Sequence, residues 1–323
     1  MKRVIFFLLF LVCICYQLPA QDKITVLTVN GDVRYFDGRN NIGERVLPGK
    51  LLPPRGAIRA DKEGMAMLLF KGQRKKLEGG QEMELGDLLK TKPKGNRGGY
   101  FGRFWGFVGS AVNNTEDNSK LENYHQRYMG NAKGGVKGWG KGVADIEVFG
   151  YHSGPLGGEK MDFHWQLKEP QEGHIKYTLE IYEEASNALF FKAYPRSNAL
   201  SLDIDQYNFK EGAVYSWRVK TIDLEDETLK SEKILFSYEP GELATFLAEE
   251  RLQRALTNLE EGERELLLLY ALEEEGFYHS TYAKYGQLVA AAPENTLYKR
   301  LFASFLIRMG DLDGAKAMLG SID

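Results

Sequence analysis

Gly276-Phe277-Tyr278-His279-Ser280-Thr281-Tyr282-Ala283-Lys284-Tyr285-Gly286-Gln287-Leu288, closed by Pro293, decides how the C-terminal part of this chain is read. Its outline returns in Gly310-Asp311-Leu312-Asp313-Gly314-Ala315 and Leu319, with Gly276 and Gly310 standing 34 residues apart. The preceding segments align as well, Leu268 opposite Phe302 and Leu272 opposite Leu306. Glycine permits a tight turn between two helices, a small residue lets helices approach, and proline stops the second one. The spacing predicts helical hairpins that stack over 241–323. Leu243, Phe246, Leu247, Leu252, Leu256 and Leu259 fall at three- and four-residue steps, so 241–259 is expected as a first helical layer. Leu266 to Leu272 is expected as the next helix, ended by Glu273-Glu274-Glu275.

Gly276-x-Tyr278 with Thr281, Tyr285, Leu288 and Pro293, repeated in Gly310-x-Leu312 with Ala315 and Leu319, resembles the tetratricopeptide repeat. Thr281 takes the place the repeat usually gives to alanine. Stacked hairpins commonly offer a concave face to peptides or proteins. The peptide-facing candidates are Tyr278, Tyr282, Tyr285, Tyr298 and Arg300. The competing reading is a packing unit docked on the preceding domain. Leu319 and Ile322 leave an apolar edge that a partner or a second copy would cover.

Upstream, residues 159–240 alternate with period two: Phe163, Trp165 and Leu167; Tyr177, Leu179 and Ile181; Leu200, Leu202 and Ile204; Tyr215, Trp217 and Val219; Ile234, Phe236 and Tyr238. Strands of this kind build a two-sheet sandwich. The series Phe163-His164-Trp165, Tyr177-Thr178-Leu179-Glu180-Ile181 and Tyr215-Ser216-Trp217-Arg218-Val219 resembles fibronectin type III-like modules. Trp165 and Trp217 are expected in the core; a carbohydrate platform would need them exposed on one face.

Residues 22–90 read as a small all-β domain of short strands. Asn30-Gly31 between two alternating runs predicts a hairpin, and Met65 to Phe70 predicts a buried strand. Gly31-x-Val33, Leu47-x-Gly49, Ile58, Gly64, the run through Phe70-Lys71-Gly72, Leu77 and Met83-x-Leu85 resemble the FecR-like periplasmic domain. In that family such a domain relays a signal through a membrane helix to a sigma factor. This chain lacks the cytoplasmic part and the transmembrane helix, so the resemblance implies the domain type and not that role. Residues 91–158 read as a Gly-rich connector with two short helices, one carrying Tyr100, Phe101, Phe104, Trp105 and Val108, the other starting after Asp117 or Asn118. The aromatic set at 100–108 is read as packing on the β domain, with a membrane-surface contact as the alternative.

Residues 1–20 have the layout of a secretory signal peptide: Lys2-Arg3, an apolar run from Val4 to Tyr16, and Leu18-Pro19-Ala20. Cleavage is expected near Ala20, which places the protein in the periplasm. Both cysteines, Cys13 and Cys15, fall within this leader, which excludes disulfides, a thiol nucleophile and a cysteine metal site in the rest of the chain. No H-E-x-x-H, G-x-S-x-G or phosphate-loop spacing occurs, and the five histidines show no ligand spacing. The chain is 43% apolar and 27% charged, ordinary for a globular protein. Charge is divided: a net +6 over 22–100, then −6 over 161–240 and −6 over 241–323.

The expected fold class is multidomain α+β: a small all-β domain, a Gly-rich connector, a β-sandwich, then α-helical hairpin repeats. The expected function is non-catalytic, a scaffold or sensor accessory in the cell envelope that binds an envelope protein or peptide. The alternative is a glycan- or peptidoglycan-binding module. No cofactor, metal or nucleic acid is expected, and the sequence leaves the oligomeric state open.

Overall fold

The computed structural model describes residues 23–38, 42–90, 100–131, 144–158, 160–169, 175–222, 229–257 and 259–322. The chain divides into two compact units, residues 1–113 and 114–323. The expected leader lies outside the described residues, among which no helix is long and apolar enough to cross a membrane.

The first unit holds strands β1 (Ile24–Asn30), β2 (Val33–Phe36), β3 (Glu44–Arg45), β4 (Leu51–Leu52), β5 (Ala57–Ala60), β6 (Met65–Phe70), β7 (Gln73–Leu77) and β8 (Glu82–Glu84), then helix α1 (Leu85–Lys90). Two four-stranded sheets form, ordered β4-β1-β6-β7 and β3-β2-β5-β8. Ile24, Val26 and Leu68 from the first sheet meet Val33, Ile58 and Tyr35 from the second in one core, which Leu85 and Leu88 of α1 complete.

The Asn30-Gly31 hairpin is corrected by this topology. β1 pairs with β4 and β6, whereas β2 pairs with β3 and β5, so the turn carries the chain from one sheet to the other. Gly31 has φ 71°, and a Cβ there would stand 2.9 Å from the Gly64 Cα. The turn chemistry specifies the reversal, while the choice of partner strand belongs to the core. The two-residue hairpin instead joins β6 to β7 through Lys71 (φ 49°) and Gly72 (φ 76°), both in the left-handed region that suits the sheet twist. Helix α2 (Tyr100–Asn114) buries Phe104, Trp105, Val108, Ala111 and Val112. Arg74 lies 5.2 Å over the Trp105 ring, while Phe101 stays 38% exposed.

The second unit begins inside the stretch expected as a connector. Helix α3 (Leu121–Asn131) is followed by β9 (Ile146–Val148) and β10 (Gly154–Leu156); residues 132–142 of the expected glycine stretch lie outside the described residues. The remaining strands are β11 (Lys160–Leu167), β12 (Lys176–Glu183), β13 (Ala188–Ala193), β14 (Ala199–Asp203), β15 (Val214–Ile222) and β16 (Ile234–Tyr238). A five-stranded sheet ordered β10-β16-β15-β12-β13 faces a three-stranded sheet ordered β14-β11-β9. Their inner faces share one core built from Phe163, Trp165, Leu179, Ile181, Trp217 and Phe236. The sandwich thus starts at Ile146 rather than 159, because β9 pairs with β11 and β10 with β16. Strands of three residues are too short to show an alternation.

Six helices follow: α4 (Pro240–Ala248), α5 (Glu250–Thr257), α6 (Glu261–Glu274), α7 (Tyr278–Ala291), α8 (Thr296–Arg308) and α9 (Leu312–Gly320). The single layer expected over 241–259 is two helices, broken at Glu249, whose ψ of 126° is extended. Helix α4 buries no residue, whereas α5 buries Leu252 and Ala255, so packing does not hold the two as one rod.

The 34-residue period is realised as two hairpins, α6–α7 and α8–α9, with the same turn. Gly276 (φ 82°) and Gly310 (φ 88°) take the left-handed conformation that glycine adopts without a Cβ penalty. Phe277 N–H donates to the Leu272 carbonyl at 2.9 Å, and Asp311 N–H to the Leu306 carbonyl at 2.9 Å. Each is the six-to-one bond that satisfies a helix C-terminus. Thr281 and Ala315 are both wholly buried, and the Thr281 hydroxyl donates to the Phe277 carbonyl at 2.9 Å, which removes the cost of placing it there.

Candidate functional site

Helix α7 lies against the segment Gly150–His152 and against β10, so its tyrosine face is turned onto the sandwich. Tyr282 stacks on Tyr151 with ring centroids 4.2 Å apart and planes 12° apart. Burial, with Asp311 close by, pushes its phenol up to about 12. Tyr285 is 1% exposed and stacks on Phe302 at 5.3 Å; burial first, then the Glu273 charge, raises its pKa. Tyr278 borders Gly154: a Cβ at 154 would stand 3.6 Å from the Tyr278 ring and 2.6 Å from the Gly276 carbonyl oxygen. The three α7 tyrosines are therefore engaged within the fold, Tyr278 and Tyr282 against the sandwich and Tyr285 against Phe302 and Phe305 of α8. Tyr298, on α8, is half-buried, with the acidic side chains of Glu265 and Glu261 in its field.

Three histidines sit at the same junction. β11 hydrogen-bonds to β14 on one side, and on the other it pairs with β9 over Trp165–Leu167. Beyond the reach of β9, the backbone N–H of His164 donates to His152 Nε2 at 3.0 Å, and that of Asp162 donates to His279 Nε2 at 3.0 Å. Two imidazoles thus cap a sheet edge that no strand covers, as buried N–H groups require. Accepting at Nε2 fixes each ring as the neutral tautomer protonated at Nδ1. Burial, then the neighbouring histidines, holds His152 well below the usual histidine range, and burial brings His279 down to about 4. Burial lowers His164 too, against the pull of Asp162.

Behind α7 lies a buried ion pair. Arg308 donates to both Glu273 oxygens, at 2.6 and 2.7 Å, and to Ser304 Oγ at 2.6 Å. Burial depresses the guanidinium pKa, and the Glu273 charge more than offsets this. Helix α3 joins the same cluster: His125 Nδ1–H donates to the Ile307 carbonyl at 2.7 Å, and Tyr124 reaches Ser304 at 3.3 Å.

Of the five sequence candidates, Arg300 lines a groove. Its Nη1 donates to the Thr115 carbonyl at 2.9 Å. The groove, about 460 Å³, is bounded by Thr115, Glu116, Asp117 and Lys120 on one side and by Arg300, Leu319 and Ile322 on the other. Asp117 accepts from Ser119 N at 3.0 Å, as the N-cap reading required, and pairs with Lys120 at 2.8 Å; these bonds hold its carboxyl at about 2. Of the expected apolar edge, Leu319 is covered within the fold at 4% exposed, and Ile322 is half-buried; both line this groove. No family model matches the chain, and no curated protein matches it.

Sequence reasoning missed Thr115, Glu116 and Lys120, which become groove residues because α3 packs along α8. It also missed His152 and His279, whose roles depend on which strand edge is left uncovered. Among the described residues, no three His, Cys, Asp or Glu side chains come together as a metal would require. Trp165 and Trp217 are 1% and 0% exposed, so neither ring is a platform for a sugar.

Proposed function

We propose that the protein is a non-catalytic scaffold or sensor accessory of the cell envelope, exported to the periplasm, that binds a protein or peptide partner in the groove beside Arg300. The FecR-like, fibronectin type III-like and tetratricopeptide-like readings of its segments belong to this proposal. The observation that carries it is the groove itself. Two cations and two carboxylates surround an apolar lip, the mixture that fixes the register of a bound chain while excluding water. The α7 tyrosines are engaged within the fold, which moves the contact to the α8–α9 side.

The test is a pull-down from envelope extracts with wild type, Arg300→Gln and Ile322→Asp, each checked for unchanged circular dichroism. Loss of one discrete partner in both variants supports the reading. Identical partner sets would sink it. Deleting 241–323 is the poorer experiment, since it strips the helical cover from the histidine-capped edge of β11.

A further inference from the structure

The outer face of the five-stranded sheet concentrates positive charge in a module that is acidic as a whole. Tyr177, Leu179 and Ile181 of β12, with Tyr215, Trp217 and Val219 of β15, point into the core, so the residues between them point outward. The register places Lys192, Glu180 and Arg218 side by side across three strands, and sets Lys220 opposite Thr178. Lys230 lies opposite Lys220, and Lys176 opens the same face of β12. The Lys233 Nζ stands 5.1 Å over the outward Tyr182 ring and 3.7 Å from Glu184. Six of the nine Lys and Arg residues between 161 and 240 therefore share one face.

A single carboxylate organises them. Glu180, 9% exposed by its side chain, takes Arg218 at 3.0 Å, Lys220 at 3.0 Å and Lys192 at 3.8 Å. Burial would raise its pKa, but the hydrogen bonds from Tyr182, Lys220 and Arg218 bring it to about 2. The two carboxylates of this face, Glu180 and Glu184, cannot neutralise six cations, so it keeps a net positive field.

Apolar groups are interleaved with the cations. Leu189, Tyr182, Ser216 and Leu235 form one row across four strands, with Leu189 51% and Leu235 53% exposed at its ends. Tyr194, 65% exposed, lies 5.4 Å beneath the Lys192 ammonium. A soluble polyanion gains nothing from exposed leucines. A bilayer surface uses all three groups: lysine heads at the phosphates, tyrosine rings at the headgroup level and aliphatic side chains below. The geometry points to this face as a docking surface for an anionic lipid bilayer.

The test is co-sedimentation of the full chain with phosphatidylcholine vesicles and with vesicles containing phosphatidylglycerol. Binding is expected with the anionic vesicles only, and it weakens as salt is raised. The Lys192→Glu/Lys233→Glu variant should lose about tenfold or more, since each surface cation contributes on the order of 1 kcal/mol. Leu189→Ser/Leu235→Ser should weaken binding at constant charge, while Lys75→Glu, on β7 of the first unit, should leave it unchanged. Absence of vesicle binding, equal binding to both vesicles, loss confined to Lys75→Glu, or binding to dextran sulfate without binding to vesicles would each overturn the proposal.

Discussion

His279 Nε2 accepts the backbone N–H of Asp162 at 3.0 Å, so a side chain carried by a helix completes the edge of a β-sheet. His152 does the same for His164 two residues along. Both bonds need an unprotonated Nε2. Protonating either ring turns an acceptor into a donor facing a donor, in a site where His279 is 5% exposed.

Stability should therefore depend on acid in a definite direction. His279 titrates at about 4 when folded and near the ordinary 6.5 when unfolded, so the unfolded chain binds the proton more readily between these values. The contribution is complete above pH ~6.5 and is lost as pH falls towards ~4, roughly 3 kcal/mol from this group. Denaturant unfolding across this range should show the fall. His279→Gln, which keeps an acceptor without a titrating ring, should make the fall shallower, leaving the share of His152 and His164. An unchanged slope in that variant contradicts the assignment.

Gly154 and Gly276 meet at the same junction, where Gly154 has no room for a side chain while a Cβ on Gly276 would come no closer than 4.0 Å to Pro155. Each has positive φ, 83° and 82°, and a Cβ on Gly154 would overlap the Gly276 carbonyl oxygen. Gly154→Ala should cost more than the roughly 1–2 kcal/mol of left-handed strain alone. Gly276→Ala, whose Cβ would meet nothing nearer than Pro155 at 4.0 Å, should cost that strain without the clash. Thermal melts of the two variants would separate these effects, and equal costs would argue against the close approach.

Breaking the Glu273–Arg308 pair should be expensive in one direction only. The side chains are 10% and 5% exposed. Glu273→Ala leaves a buried guanidinium and should cost about 3–5 kcal/mol, whereas replacing both partners with Leu and Met should cost far less. Chemical denaturation of the wild type, the single variant and the double variant reads this difference, and equal losses in the single and double variants would contradict it.

The sequence reveals what a residue type alone can decide. Gly276 and Gly310 mark their turns because only glycine takes that backbone cheaply, and Trp165 and Trp217 declare themselves as core by alternation. Asn30-Gly31 misleads because a turn signal is local while strand pairing is not. β9 and β10 are too short for any period to appear. The cationic face needs the register of β12, β13, β15 and β16, and the Arg300 groove needs α3 against α8; neither distance is written in sequence spacing.

The most direct test of the account is site-specific photo-crosslinking in cells, with the reactive residue placed in turn at Ile322, at Lys120 and, as a control, at Lys75. One partner protein is expected from both Ile322 and Lys120, not from Lys75, and it should be lost when Arg300→Gln is added. No protein adduct from either groove position, or one that Arg300→Gln leaves unchanged, would contradict the groove as the binding site.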